Sequence, residues 1–186
     1  METLDLHGKK TMIRLDLNVP LKDGNVTSDA RIQAALPTIQ MAIDKGAQVV
    51  LLSHLGRPDP DNLDGSFSLE PVAKKLQEIL NINVSFQPNW LDGIKEESQG
   101  IVLCENVRYE AGEKKNDESL SKQIADLCDV YVMDAFGASH REHSSTYGAL
   151  KYAKEGCIGP LLSKEVSSIR KAIDDPQPPV TAIIGG

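Results

Sequence analysis

Short apolar runs, several of them apolar throughout, are separated by longer segments with helical periodicity, and this pattern constrains the fold of the chain more than any other feature. Such runs are typical of parallel strands, because helices cover both faces of a parallel sheet and leave no solvent-facing side. The runs that indicate strands are Thr11–Leu17, Gln48–Leu52, Val84–Phe86, Ile101–Cys104, Val130–Met133 and Val180–Ile184. They predict an α/β fold, a doubly wound (Rossmann-like) parallel sheet of about six strands with helices on both faces.

Four amphipathic segments between these runs predict the helices. In the first, Pro37 should begin or kink a helical turn, because proline cannot donate the helical hydrogen bond. In the second, Ser68 can cap the first turn and Pro71 is tolerated within it. The predicted inward faces are Ile32, Ala35, Leu36, Ile39 and Ile43; Val72, Leu76, Ile79 and Leu80; Leu120, Ile124 and Leu127; and Leu162, Val166, Ile169 and Ile173.

A proline-rich break over residues 174–179 follows the last amphipathic segment, and one more apolar run and Gly185-Gly186 follow the break. Glycines directly after a strand commonly open the turn into a helix. We therefore expect one domain over residues 1–175. Residues 176–186 would hold the break and the first strand of a second, truncated domain.

Composition and spacing argue against several classes of protein. Cys104, Cys128 and Cys157 are too far apart for a disulfide framework or a metal-binding pair, which favours packing roles and the reducing cytoplasm. No apolar run reaches the length needed to cross a bilayer, so no membrane partner is expected. The net charge of −7 argues against a nucleic-acid partner. His140 and His143 have a spacing seen in metal sites, but Arg141 between them disfavours a cation.

Polar and cationic residues follow four of the predicted strands. Ligands of open parallel sheets bind outside the carboxyl ends of the strands, where such residues converge. A guanidinium offers a planar fork of donors that matches phosphate or carboxylate. A single loop arginine is usually a solvated charge, and Asp16 and Asn18 could be turn formers before Pro20. The coincidence of arginines at several strand ends nevertheless predicts a site for a small phosphorylated anion.

Five motifs occur in a fixed order: RLDLNVPL, TSDARIQAALPTI, LLSHLGRP, VLCENVRYEAGEKKND and VYVMDAFGASHREHSST. In order and spacing they resemble the amino-terminal domain of the phosphoglycerate kinase family, over residues 8–186. The resemblance implies reversible phosphoryl transfer between 1,3-bisphosphoglycerate and Mg-ADP, which gives 3-phosphoglycerate and ATP in glycolysis. In that family the amino-terminal domain holds the phosphoglycerate, and the carboxy-terminal domain holds the nucleotide.

The resemblance also implies roles for individual residues. Asp16 and Asn18 would contact the hydroxyl and carboxyl end of the substrate, and His54 with three arginines would hold the phosphate that is not transferred. Arg31 would be catalytic, because a cation there stabilises the charge of the transition state. The full substrate-binding set is Asp16, Asn18, Arg31, His54, Leu55, Gly56, Arg57, Arg108 and Arg141. No nucleotide-binding or metal-binding residue is expected in this chain.

The chain stops where members of the family continue into a lysine-bearing segment and a second α/β domain. We therefore expect a monomer that binds 3-phosphoglycerate without catalysing alone, Mg-ATP or Mg-ADP being held by the second domain. Glu142 would add a negative charge near the site. Two alternatives remain open from sequence: a stand-alone phosphoanion-binding regulatory module, and a receiver-like domain that would use carboxylates and Mg²⁺.

Overall fold

The computed structural model describes residues 1–95, 100–174, 176, 179, 181 and 183. Its strands are β1 (Lys10–Leu15), β2 (Leu21–Lys22), β3 (Asn25–Val26), β4 (Gln48–Leu52), β5 (Val84–Gln87), β6 (Ile101–Cys104), β7 (Val130–Asp134) and β8 (Gly156–Ile158). Its α-helices are α1 (Ala30–Asp44), α2 (Glu70–Leu80), α3 (Glu118–Asp126), α4 (Phe136–Ser139), α5 (Ala149–Tyr152) and α6 (Pro160–Asp174).

Six of the strands form one parallel sheet in the order β5-β6-β4-β1-β7-β8. The central strand is β1, in which Thr11 pairs with Val49 on one side and with Val130 on the other. From β1 the chain passes first to β4 and only later returns to β7, so the order of the strands reverses between β1 and β7. The predicted doubly wound parallel sheet is confirmed.

Helices cover both faces of this sheet because successive side chains of its strands point to opposite sides. Ile13 of β1 belongs to a buried cluster with Ile32 of α1 and Val72 of α2. Its neighbour Met12 belongs to a second cluster with Trp90 and with Ile124 of α3. Two separate cores of this kind hold the carboxyl edge of the sheet in place from above and below.

The strand boundaries differ from the prediction in a few places. β1 ends at Leu15 rather than Leu17, because the Asp16 carboxylate turns the chain by accepting a hydrogen bond from Asn18 N at 3.2 Å. A turn at Asp23 and Gly24 joins β2 to β3 in a short antiparallel hairpin, with both residues at positive φ. The sixth strand of the sheet is β8, which was not predicted, and the predicted strand Val180–Ile184 falls mostly outside the described residues.

The helices also depart from the sequence patterns. Pro37 lies inside α1 and does not begin a turn, since burial of residues on both sides of it favours one continuous helix. Ser68 precedes Leu69, the N-cap of α2, and its hydroxyl accepts from Glu70 N at 3.2 Å. In α6 only Leu162 is buried, whereas Ile169 and Ile173 are 42% and 71% exposed, so the predicted inward face of this helix was half wrong.

Cys104 and Cys128 are buried and Cys157 packs against the first core cluster, in keeping with their predicted packing roles. Burial raises the pKa of the Cys128 thiol to about 12, which keeps it protonated. Among the helices of the described residues, none has the length and apolar content that a membrane span requires.

Candidate functional site

Four neighbouring strands, β6, β4, β1 and β7, bring the predicted cationic loops to one edge of the sheet. Five of the chain's six arginines belong to this region: Arg14, Arg31, Arg57, Arg108 and Arg141. Their proximity shows in their effect on His54, whose pKa is lowered by the charges of four of them. The edge includes the β1–β7 reversal, where ligands of doubly wound sheets bind.

The loop after β1 is tied to its neighbours by its two polar side chains. The Asp16 carboxylate forms an ion pair with the guanidinium of Arg31, whose side chain is 50% exposed at the start of α1. Asn18 Oδ1 accepts a hydrogen bond from Gly56 N at 2.8 Å. A Cβ atom on Gly137 would lie 3.2 Å from Asp16 Oδ2, so the short helix α4, which follows β7, also reaches this point. Asp16, Asn18, Arg31 and Gly56 are therefore brought together.

The loop after β4 combines a left-handed backbone with a close contact at its centre, and together these favour glycine. Gly56 has a φ of +58°, and a Cβ atom there would lie 2.1 Å from the ring of Phe67. Leu55, buried just before it, is held on both sides by Asn106, whose Oδ1 accepts from Leu55 N and whose Nδ2 donates to Leu55 O. The loop is thus fixed before any ligand arrives.

Arg108 is the most constrained of the loop arginines. It is 4% exposed, and one of its terminal nitrogens donates to the carbonyl of Gly56. Its Nε is buried and has no hydrogen-bond partner among the described residues. Burial, followed by the charges of Arg141 and Arg14, lowers the pKa of Arg108. An unpaired donor on a buried cation is the kind of group that an anion can satisfy.

His54 is 6% exposed and stands among cations. Its Nδ1 lies 3.1 Å from a terminal nitrogen of Arg14. Burial first, and then the charges of Arg14, Arg108, Arg141 and Arg31, lower the pKa of His54 to about 2. The imidazole is therefore neutral at physiological pH and offers one N–H donor.

Arg57 and Arg141 are less constrained. Arg57 is exposed and Arg141 partly exposed, and neither side chain has a hydrogen-bond or ion-pair partner within the part of the chain that the structure describes. Glu142 is exposed, and its carboxylate accepts from Asn116 Nδ2 at 3.4 Å. Both arginines are thus available to a ligand at the rim of the site.

Sequence reasoning missed the buried polar residues beneath the site. Arg14 and Glu113 are each 1% exposed, and Ser145, fully buried, lies between them. Ser145 Oγ accepts from Arg14 Nε at 2.9 Å and donates to Glu113 Oε1 at 2.6 Å. The one signal in the sequence was an arginine inside an otherwise apolar strand; nothing distinguished Asn106, Glu113 or Ser145 from surface residues.

The donor set of this edge suits an oxyanion. It consists of guanidinium groups and a neutral imidazole, both of which donate to phosphate or carboxylate oxygens. Beside it lies an open cleft of about 250 Å³, bordered by Asn18, Leu55 and Gly56. No group of three or more potential metal ligands was found in a search of the described residues.

Comparison with known proteins agrees with the geometry. A family model described as phosphoglycerate kinase matches residues 1–186. Curated relatives named phosphoglycerate kinase include those of Francisella tularensis subsp. novicida, 52% identical, and Nitratidesulfovibrio vulgaris, 53% identical, each over all 186 residues. The chain spans about half the length of these relatives, 47% in both cases.

Solved structures show the same likeness in three dimensions. The structure of phosphoglycerate kinase from Coxiella burnetii matches with a TM-score of 0.91 at 50% identity, over 96% of this chain and 46% of the other. The crystal structure of phosphoglycerate kinase from Pyrococcus horikoshii OT3 matches with a TM-score of 0.84 at 31% identity, over the same shares. The likeness therefore extends over almost the whole chain, including the sheet and the loops at its carboxyl edge.

Proposed function

This chain belongs to the phosphoglycerate kinase family, and from that we propose that it is the half that binds 3-phosphoglycerate and 1,3-bisphosphoglycerate. The observation that carries the proposal is the convergence of five arginines and His54 on the edge of the sheet where the strand order reverses. In a chain with a net charge of −7, so local a concentration of cations indicates an anionic ligand.

The phosphate that is not transferred would lie against Arg57, Arg108, Arg141 and His54. The buried, unpaired Nε of Arg108 supports this assignment, because a phosphate oxygen would supply the missing acceptor. The backbone of Leu55 and Gly56, held by Asn106 and Asn18, would shape the floor. Asp16 and Asn18 would receive the hydroxyl and carboxyl end of the substrate.

Arg31 would act on the phosphoryl group that is transferred. Its half-exposed guanidinium is paired with Asp16, which leaves donor N–H groups for a second anion. A cation in that place stabilises charge that spreads over the phosphoryl oxygens in the transition state. Arg31 would thus contribute to the rate rather than mainly to affinity.

The second half of the full protein would supply the nucleotide. In the phosphoglycerate kinase reaction Mg-ADP or Mg-ATP is the other substrate, and the cationic donors of this edge suit a phosphate rather than the Mg²⁺ ion itself. We propose that the full protein is a cytoplasmic monomer. The family match favours this interpretation over a stand-alone regulatory module.

Titration of the chain with 3-phosphoglycerate, followed by amide NMR shifts, tests the proposal. Two or three arginine–phosphate contacts at about 1.5–3 kcal/mol each, less ordering costs, suggest a dissociation constant between about 10 µM and about 1 mM. The shifts should concentrate in the loops that carry Arg57, Arg108 and Arg141. Unchanged loops at millimolar ligand would refute the proposal.

A matched pair of variants separates this site from general anion attraction. Arg57→Ala removes a cation of the site, whereas Arg170→Ala removes an exposed cation on α6. We expect the first to weaken binding about tenfold or more, and the second to leave it unchanged. Equal weakening by both variants would mean that only net charge matters.

A further inference from the structure

Arg14 donates hydrogen bonds in three fixed directions from the middle of the central strand. Its Nε donates to Ser145 Oγ, one terminal nitrogen donates to the carbonyl of Leu15, and the other lies 3.1 Å from His54 Nδ1. A guanidinium carries only donors and does not lose its charge in proteins. In the contact with His54, Arg14 is therefore the donor and Nδ1 is the acceptor.

This contact determines where the proton of His54 resides. A neutral imidazole has one protonated nitrogen, and the hydrogen bond made by the other nitrogen selects which. With Nδ1 accepting from Arg14, the proton is on Nε2. Among the described residues, no hydrogen-bond partner of Nε2 is seen, so this donor is left for a ligand.

The orientation of Arg14 is in turn fixed from the opposite side. Ser145 bridges it to Glu113, which accepts from Ser145 Oγ at 2.6 Å and from Ser145 N at 2.9 Å. The Tyr131 hydroxyl donates to the carbonyl of Ser145 at 2.5 Å. A buried guanidinium needs such a partner, because an unpaired charge in the interior is strongly destabilising. The serine hydroxyl thus links the buried guanidinium to the buried Glu113 side chain and fixes the direction of Arg14 Nε.

We propose that Arg14, held by Ser145 and Glu113, is a positioning residue that locks His54 as the neutral Nε2–H tautomer and so presents a fixed hydrogen-bond donor to the anion. Arg14 itself makes no contact with the ligand in this scheme. Each of its three nitrogens already has a partner, in Ser145, Leu15 and His54.

The charges around His54 reinforce the effect of Arg14. Arg108, Arg141 and Arg31 also disfavour a second proton on the ring, which would make it a cation. On the far side of Arg14 stand the Glu113 carboxylate and His143, whose Nδ1 is 3.8 Å from Glu113 Oε1. The site therefore combines charged arginines with one neutral donor, His54, whose protonation state stays the same between pH 5 and 8.

The unliganded chain, labelled with ¹⁵N at its histidines, provides the test. Long-range ¹H–¹⁵N spectra distinguish protonated from unprotonated ring nitrogens, and His54→Gln identifies the His54 signals. We expect the Nε2–H pattern, unchanged from pH 8 to pH 5. An Nδ1–H pattern, or titration of His54 within this range, would overturn the proposal without recourse to any further variant.

Three variants assign the effect to Arg14. Arg14→Met should release Nδ1 and give a mixture of tautomers, and Arg14→Lys should restore the pattern in part. Thr38→Val removes a buried hydrogen bond to Asp134, outside this network, and its His54 signals should match those of the unaltered chain. If Arg14→Met does not fold, Ser145→Ala, which frees Arg14 Nε, should broaden or shift the His54 signals instead. Unchanged His54 signals in Arg14→Met, or in Ser145→Ala where Arg14→Met does not fold, would refute the role of Arg14.

Sulfate binding links the tautomer to the ligand, since sulfate keeps its charge over this range of pH. In the unaltered chain its affinity should not rise on acidification through protonation of His54. His54→Gln should weaken sulfate binding several-fold in the otherwise unaltered chain, but less in the Arg14→Met background, where the tautomer is mixed. Equal weakening by His54→Gln in the two backgrounds would contradict the proposal.

The identity of the anion that accepts from His54 Nε2 rests on the proposed function. The tautomer of His54 does not depend on it. Failure of 3-phosphoglycerate to bind, with the tautomer as expected, would overturn the proposed function alone. The opposite combination would overturn the role of Arg14 alone.

Discussion

Gly56 connects three parts of the site through its backbone. Its N–H donates to Asn18 Oδ1 and its carbonyl accepts from Arg108, while the Phe67 ring occupies the space where a side chain would begin. A methyl group at this position must therefore move either the ring or the loop. The geometry at residue 56 is as important for the site as its charged residues.

Replacement of Gly56 tests this directly. Gly56→Ala should lose about 1–2 kcal/mol from the left-handed backbone and about 1–3 kcal/mol more from the clash with Phe67, and should weaken binding of 3-phosphoglycerate. Gly65→Ala is the matched control, since Gly65 has a φ of +76° and a Cβ atom there would meet nothing within 4 Å. Urea unfolding measures both changes. Equal losses in the two variants would show that the Phe67 contact relaxes without cost.

His54 should make the chain less stable in acid. Because its folded-state pKa of about 2 lies below the ordinary value of 6.5, protons bind preferentially to the unfolded chain as the pH falls below 6.5. Between pH 7.5 and 5 the free energy of unfolding should drop by about 2 kcal/mol more in the unaltered chain than in His54→Gln. The raised pKa values of Glu113 and Asp134 act in the opposite direction but are common to both proteins.

Denaturant unfolding at a series of pH values, in buffers without sulfate or phosphate, measures this difference. His7→Gln, which alters an exposed histidine away from the site, serves as the control. Parallel pH profiles for the unaltered chain and His54→Gln would mean that His54 is not kept neutral by the fold.

Individual residues of the site differed in how far the sequence revealed them. Arg57, Arg108 and Arg141 follow apolar strands, so the rule for ligands of parallel sheets places them together without a structure. Asn106 and Glu113 were not predicted, because their role depends on burial by distant segments that no local pattern encodes. Their contacts join residues 55 and 106, and residues 113 and 145.

At the scale of elements, α6 is joined to the end of β7 by a buried carboxylate. Asp134, 0% exposed, accepts from Leu162 N at 2.7 Å in the first turn of α6 and also from the Thr38 hydroxyl of α1. It thus replaces a local cap, and it couples two helices on one face of the sheet to the strand that ends at the site.

Loss of this carboxylate should cost more than loss of an ordinary cap. Asp134→Ala leaves two buried donors without their acceptor, and relief of a buried charge offsets part of that, for a net cost of about 2 kcal/mol. Asp117→Ala removes an exposed cap that accepts from Leu120 N at 2.9 Å, and should cost about 1 kcal/mol. Midpoints of urea unfolding compare the two. A smaller loss at Asp134 would mean that Thr38 and Leu162 find other partners.

The bounds of the strands were largely predictable where helices bury both faces of the strand. The bounds of β4 and β6 agree with their apolar runs, because both faces of these strands are covered. The three-residue β8 was missed, since Gly156-Cys157-Ile158 is short, partly exposed and contains a glycine. In α6 a regular apolar stripe exists, but among the described residues only Leu162, near the start of the helix, is buried.

At the scale of the whole molecule, the family could be recognised because five motifs stand in order. Their substrate-binding roles remain a prediction, as does the division at residue 175. The size of the relatives, about twice that of this chain, supports the interpretation that a nucleotide-binding half is needed for turnover.

A coupled assay with ATP and 3-phosphoglycerate examines that interpretation. The chain alone should show no turnover, and a separately produced second half from a relative should restore part of it. In the restored pair, Arg31→Ala should lower kcat about a hundredfold or more, because it removes charge stabilisation in the transition state. Arg170→Ala should not. Turnover by the chain alone, or equal kcat values for the two variants, would contradict the assignment.

The pairing of β1 with β7 also governs how the protein is made. Thr11 and Val130 are neighbours in the sheet but lie 119 residues apart in the chain. A ribosome adding about 5–20 residues per second needs roughly 6 to 24 seconds to span that distance. During this interval the nascent β1 has one edge without its native partner. The anion site is also incomplete, because the segment after β7 that carries Arg141 has not been made.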